Sequence, residues 1–264
     1  MQKLVRKVRF SVNPFLPEDA IGFNSYCSKP CGEGLAVFFE LEVGVVGAVE
    51  ADTGFVINVS EIDKAVREFM VPIFAKQLRE DFGNKRHISL VKLTELLKLA
   101  KENLKGKLGG VFLAELGLKL NPFRRMAMDC EDEKMIYFSE KFEFASMHKL
   151  WNDEFSEEKN FEAFGKCANP AGHGHNYVIE VTVKSPANSG LSMNDFEMIV
   201  ENEFISQVDH KNLNADVEHF GKVNPTVENL AAFAWGNIEG KFGEAKLHAV
   251  TVWENDRTYC TYYG

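Results

Sequence analysis

Hydrophobic and polar positions along the chain fall into two stretches with the same plan. In the second half, GHGHNYVIEVTVKSP runs into NSGLSMNDFEMIVENEF and then VDHKNLN; in the first, GEGLAVFFELEVGVV runs into DTGFVINVSEIDKAVREF and then VPIFAKQL. Each has a Gly-x-Gly start, an alternating β-rich run, a turn with Gly, a short strand and an amphipathic helix. Farther on, TELLKLAKENLKGKL followed by GVFLAELGLKLN parallels VENLAAFAWGNIEGKF followed by AKLHAVTVWEN, each a second helix and a last strand. The pattern predicts an α+β chain of two β-β-α-α-β-β units, joined near Met128 to Met135, where the acidic run Cys130 to Lys134 suits an exposed connector. Ile62, Val66, Phe69 and Met70 recur at helical spacing, as do Met198, Ile199 and Phe204 less regularly. Such helices cover one face of an antiparallel sheet, and the other face is then expected to be buried by another subunit or by the other repeat.

Composition narrows the function classes. With 264 residues, 45% of them apolar, the chain can build one large domain or two small ones. It has no apolar run of about 18 residues, and the basic MQKLVRKVRF start precedes no apolar stretch with a cleavage site. Five cysteines, an odd number, argue against a disulfide framework and for a reducing, cytoplasmic setting. The formal net charge of -9 carries no nucleic-acid footprint, and a polyanionic substrate needs local basic residues to offset the overall field.

The candidate chemistry gathers in the second half. His173 and His175 stand two apart at the start of a β-rich run, so both imidazoles face one side of a strand. His148 stands at another predicted strand, through Phe138, Phe142 and Phe144 and ending near Met147, and an adjacent antiparallel pairing brings it beside the pair. Three neutral imidazoles with an open fourth position suit a catalytic Zn2+ ion. His87, His219 and His248 lack such company and read as structural.

Cys167 lies in a loop made by Pro170, Gly172 and Gly174, where its thiol can fold back over the metal. Lys166 and the metal charge are expected to favour the thiolate, which can abstract a proton. Asp209 and His210 can form a dyad in which a carboxylate orients an imidazole. Glu254, on the predicted last strand, is either an edge residue or a buried acceptor for a ligand's donors, and a bidentate carboxylate matches an amino group beside a ring N–H. Cys27 and Cys31 have no matching second pair and read as structural.

Together these residues resemble the 6-pyruvoyl-tetrahydropterin synthase family over roughly residues 135 to 264. The matching pieces are FASMH, FGKCANPAGHGHNY, the turn at Ser189-Gly190, VDHKNLN, NPTVEN and VWEN. The resemblance implies the tunnelling (T-fold) architecture, whose units pack into an oligomeric barrel with the helices outside. It also implies a zinc-dependent lyase that converts 7,8-dihydroneopterin triphosphate to 6-pyruvoyl-tetrahydropterin, with loss of triphosphate. By matching positions, His148, His173 and His175 hold Zn2+, Cys167 is the base, and Asp209 with His210 is the second acid–base pair. Glu254 anchors the pterin, helped by the segment around Thr226, and Glu228 also matches a family position. The related 6-carboxy-tetrahydropterin synthase of queuosine biosynthesis is the alternative, although there the cysteine stands three residues before His-Gly-His, and here ANPAG makes five. A non-catalytic pterin-binding or assembly protein is the third reading.

The expected domains are 1–130, a degenerate structural repeat, and 131–264, the catalytic one. Superposing the repeats sets Glu33 and Leu35 at His173 and His175, Ile73 and Phe74 at Asp209 and His210, and Leu120 at Glu254. The first repeat is therefore expected to lack activity. In the family the Asp-His pair comes from a neighbouring unit, so a homo-oligomer of unspecified number is implied. Asn255 replaces a common threonine, and Lys149, Lys166 and Lys211 are candidates for the triphosphate.

Overall fold

The computed structural model describes residues 1–15 and 36–264, which form two compact units. Cys27, Cys31, Glu33 and Leu35 lie outside the described residues.

Unit 1 holds β1 (Gln2–Val12), β2 (Val37–Gly47), β3 (Phe112–Lys119) and β4 (Arg124–Asp129), paired antiparallel in that order. Between β2 and β3 run α1 (Val59–Ala65), a π turn (Val66–Met70), α2 (Val71–Gly83) and α3 (Leu90–Leu104). The alternation of the strands decides their faces. Val8, Phe10, Phe39, Leu41, Val43, Leu116, Leu118 and Met126 are buried. The rings of Phe10, Phe39 and Phe74 meet at centroid distances of 5.5 to 5.6 Å, which seats α2 on the sheet. The alternate positions carry charge: Arg9 binds Glu40 at 2.7 Å, Lys7 binds Glu42 at 3.1 Å, and Arg125 bridges Glu42 and Glu115 at 2.7 and 2.9 Å.

Unit 2 has β5 (Met135–His148), which begins at the boundary, then β6 (His173–Pro186), β8 (Lys246–Asn255) and β9 (Thr258–Tyr262) side by side. β7 (Lys211–Asn212) pairs parallel with β5, opposite Ser146 and Met147. Its helices are α4 (Glu157–Phe164), α5 (Met193–Val200), α6 (Ser206–Val208), α7 (Leu213–Asp216) and α8 (Val227–Ile238). A π turn at Glu201–Ile205 joins α5 to α6. Phe144 stacks on Tyr177 at 4.9 Å and meets Phe204 edge-on at 5.5 Å, the counterpart of the phenylalanine cluster of unit 1.

The buried stripes explain both π turns. Ile62, Val66, Met70, Phe74 and Leu78 are buried at steps of four, and so are Phe196, Val200, Phe204 and Val208. In an α-helix a step of four over-rotates by about 40°. A wider π turn rotates the stripe back, and each stripe stays on its sheet. In unit 1, Pro72 has no N–H to donate, which suits the break in the α register.

Two expectations are corrected here. Met198 is 53% exposed, because the stripe follows Phe196 and Val200 instead. The short strand expected before each first helix is absent among the described residues. Phe55, Val56 and Ile57 instead leave a turn closed by Gly54 N–H to Glu50 O, and Ile57 alone is buried. No helix is long and apolar enough to cross a membrane among the described residues.

Candidate active site and metal centre

His148 ends β5, and His173 and His175 open β6. Their ligand nitrogens all lie within 4.8 Å of one another, with His148 Nε2 and His173 Nε2 3.0 Å apart. Around an ion with bonds of about 2.0–2.1 Å in tetrahedral geometry, ligand nitrogens stand roughly 3.3 Å apart, so the His148–His173 pair is near that spacing already.

The hydrogen bonds say which nitrogens face inward. His148 Nδ1–H donates to Pro225 O at 2.8 Å, leaving Nε2 with its lone pair towards the other two rings. His175 Nε2 is buried without a hydrogen-bond partner: Glu254 Oε1 stands 3.4 Å away but is poorly aligned. His173 Nδ1 is likewise buried and unpaired. Burial pushes the His148 and His175 rings below their usual value, and the neighbouring imidazoles act in the same direction. Two rings held below their usual value, with one ring nitrogen of each of the three histidines within 4.8 Å of the others, fit a metal ion.

Gly172 makes this geometry possible. Its φ is +69°, and a Cβ there would come within 2.9 Å of His148 O. Any side chain would push the loop off β5. That loop carries Cys167 on a short 3-10 turn (Gly165–Ala168), and the Cys167 carbonyl accepts from Leu150 N–H at 2.9 Å. The thiol is half-buried. Burial and the Glu254 carboxylate push it up, and Lys166 is not among the groups acting on it. The protein alone therefore disfavours the thiolate, contrary to the help expected from Lys166.

Glu254, second from the end of β8, also stands 3.7 Å from His148 Nε2. Sequence reasoning missed Tyr177, which is fully buried with its hydroxyl 3.3 Å from His148 Nδ1. Burial, then Glu254 and Cys167, push its phenol far up. The signal was available, since Tyr177 continues the i, i+2 face of His173 and His175. Pro225 was also missed, and a carbonyl 77 residues from its histidine leaves no trace in a motif.

Asp209 and His210 follow α6. The Ala145 amide donates to Asp209 Oδ1 at 2.8 Å, and His210 Nδ1 donates to Oδ2 at 2.8 Å. The Ala145 bond, then His210, hold the Asp209 carboxyl below its usual range. His210 adopts φ +55°, an uncommon conformation for a non-glycine residue, and its ring is 83% exposed. His175 and His210 line one cavity of about 540 Å³, together with Lys211. Lys149 lines a second, of about 580 Å³, with Trp151 and Lys222. Lys166 is exposed and lines neither.

The Thr226 hydroxyl is engaged as the N-cap of α8, accepting from Asn229 N–H. Glu228 acts on the thiol of Cys260 in β9. His219 stacks on Phe233 at 4.9 Å, and His87 is exposed in a loop. Ile73 and Phe74 lie within α2, and Leu120 follows β3. Among the described residues Cys130, Cys167 and Cys260 are free, and burial first of all pushes Cys130 up to about 11, an inert thiol.

Comparisons with known proteins agree on residues near the second unit. The family model described as 6-pyruvoyl tetrahydropterin synthase matches residues 137–264. The 6-pyruvoyl tetrahydrobiopterin synthase of Homo sapiens is 38% identical over 130 residues, covering 48% of this chain and 90% of the human protein. A 6-carboxy-5,6,7,8-tetrahydropterin synthase of Aquifex aeolicus is 28% identical over 159 residues, covering 47% of this chain and 95% of its own. The solved 6-pyruvoyl tetrahydropterin synthase of Caenorhabditis elegans is 28% identical, with a TM-score of 0.45, over 49% of this chain and 96% of that one. With the human relative covered almost end to end at that identity, the chain belongs to the 6-pyruvoyl tetrahydropterin synthase family.

Proposed function

We propose that this chain is a zinc-dependent lyase converting 7,8-dihydroneopterin triphosphate to 6-pyruvoyl-tetrahydropterin with release of triphosphate. The observation that carries the reading is the converging histidine triad, with two buried ring nitrogens unpaired and with Glu254 and Cys167 beside it. His148, His173 and His175 would hold a zinc ion, which would supply Lewis acidity to the substrate side chain.

The chain's own residues do the rest. The Cys167 sulfur, as the thiolate, takes a proton from the substrate side chain; burial and Glu254 oppose that form, and the positive charge of a metal on the triad would favour it. Glu254 accepts from the pterin's amino group and ring N–H. Asp209 keeps His210 oriented for the second proton movement, in the site of a neighbouring unit as the family resemblance implies, and the 83% exposed His210 ring supports that reach. Lys149 and Lys211 offer charge to the triphosphate within those cavities. Triphosphate leaves with its bonding electrons, no water is added, and an internal redox shift completes the pyruvoyl side chain.

In this reading residues 131–264 form the catalytic repeat and residues 1–130 a structural repeat; two strands, helices and two strands in the first half support it, and the second half adds α4, β7 and α7 to that order. An outer edge supports assembly into a homo-oligomer. Among the described residues no strand pairs with the far side of β9, where Tyr259 is 60% exposed. Incubation of the zinc-loaded protein with dihydroneopterin triphosphate, with mass spectrometry of the products, tests the reading. Triphosphate and a pyruvoyl product are expected. A carboxy product moves the chain to the queuosine branch, and no turnover with zinc bound overturns the lyase.

A further inference from the structure

Unit 1 carries a cleft of about 490 Å³ along β1 and the end of α1 that the reaction above does not use. Its size falls within the roughly 300–1,000 Å³ of small-molecule sites. Four of its lining residues are basic, Arg6, Lys7, Arg9 and Arg67, and Asp63 is its one carboxylate. In a chain of net charge -9 this is a local reversal of sign.

The charges are not equally compensated. Lys7 and Arg9 reach the acidic face of β2, at Glu42 and Glu40. Arg6 grips Asp63 in a fork, Nε to Oδ1 at 2.8 Å and Nη2 to Oδ2 at 2.7 Å. That fork spends both oxygens of the carboxylate. Arg67, one helical turn beyond Asp63, keeps a buried Nη1 with no hydrogen-bond partner. Burial pushes the guanidinium below its usual value, with Arg6 acting the same way against the pull of Asp63. A guanidinium nitrogen buried without a partner is costly, and an oxyanion is the partner that relieves it best, because the planar fork matches phosphate oxygens.

We propose that this cleft is an oxyanion site that takes an oligophosphate, held by Arg67 and Arg6 against the outer edge of β1. The volume exceeds one phosphate group and accommodates a chain of them. Two sources present this chemistry, free triphosphate and the tail of a nucleoside triphosphate. The site requires neither zinc nor turnover, so its test stands apart from the lyase reading.

The experiment is isothermal calorimetry on the full-length chain in His173→Gln background, with tripolyphosphate and, separately, ATP, at low and raised salt. Tripolyphosphate is expected to bind and to weaken as salt rises. Arg67→Gln is expected to lower affinity by about tenfold or more. Asp63→Asn removes the one carboxylate, frees Arg6, and is expected to tighten binding. Tripolyphosphate binding more tightly than ATP assigns free triphosphate as the source, and the reverse order assigns the nucleotide. Equal affinity in the parent and Arg67→Gln, weaker binding in Asp63→Asn, or no binding of either anion at low salt overturns the site. Thermal melting of each variant without ligand checks that the fold is kept.

Discussion

His148 is the residue on which the site turns, because its Nδ1–H is committed to Pro225 O and only Nε2 remains for an ion. Replacing His173 with Gln should abolish retained zinc, measured by plasma mass spectrometry after dialysis. Cys167→Ala should keep the zinc and lose turnover by about 10²–10⁴-fold, the scale of general acid–base work. Full turnover in that variant would remove Cys167 as the base. The depressed pKa of His148 also makes a stability prediction. Its ordinary value is 6.5, so as pH falls through that value the unfolded chain takes up a proton that the folded ring refuses. Metal-free protein should therefore lose stability below about pH 6.5, with His148→Gln showing a flatter profile in denaturant titrations.

At the scale of elements, strand alternation and helix stripes carry the site to its place. β5 and β6 deliver the three histidines on one side, and the stripe Phe196, Val200, Phe204, Val208 fixes the helix behind them. Phe204 is fully buried against Phe144, so Phe204→Ala should cost about 3–5 kcal/mol in urea unfolding. Thr226→Ala should cost about 1 kcal/mol by uncapping α8. Because Pro225 precedes that cap and holds His148, the same variant should also weaken zinc binding, read by chelator competition. Loss of stability with unchanged zinc affinity would separate the cap from the metal site.

At the scale of the whole molecule, zinc stoichiometry asks whether one unit or both carries the chemistry. One ion per chain is expected, since the triad in unit 2 is the one cluster of its kind among the described residues. Two ions per chain would end the reading of a structural first repeat. Sequence patterning made much of this legible. The antiparallel strands and amphipathic helices were visible as local runs, and the His173–His175 pair as a short spacing. The short strand expected before each first helix is absent among the described residues, and Cys167 and Glu254 were singled out by the family motifs. The exposed Met198 was misread because the buried stripe of α5 runs through Phe196 and Val200, and Met198 lies off it.

The sequence by itself determined which residues can ligate, since His-x-His on a strand converges whatever the rest of the fold does. It also determined the family, through motifs whose order is more telling than any one of them. Only the tertiary structure decided which nitrogen of His148 faces the ion, that Tyr177 lies behind it, and that burial and Glu254 disfavour the Cys167 thiolate. These depend on groups far apart in the chain. Burial and hydrogen-bond direction arise only when the strands and the segment before α8 are packed together, and no local pattern encodes them.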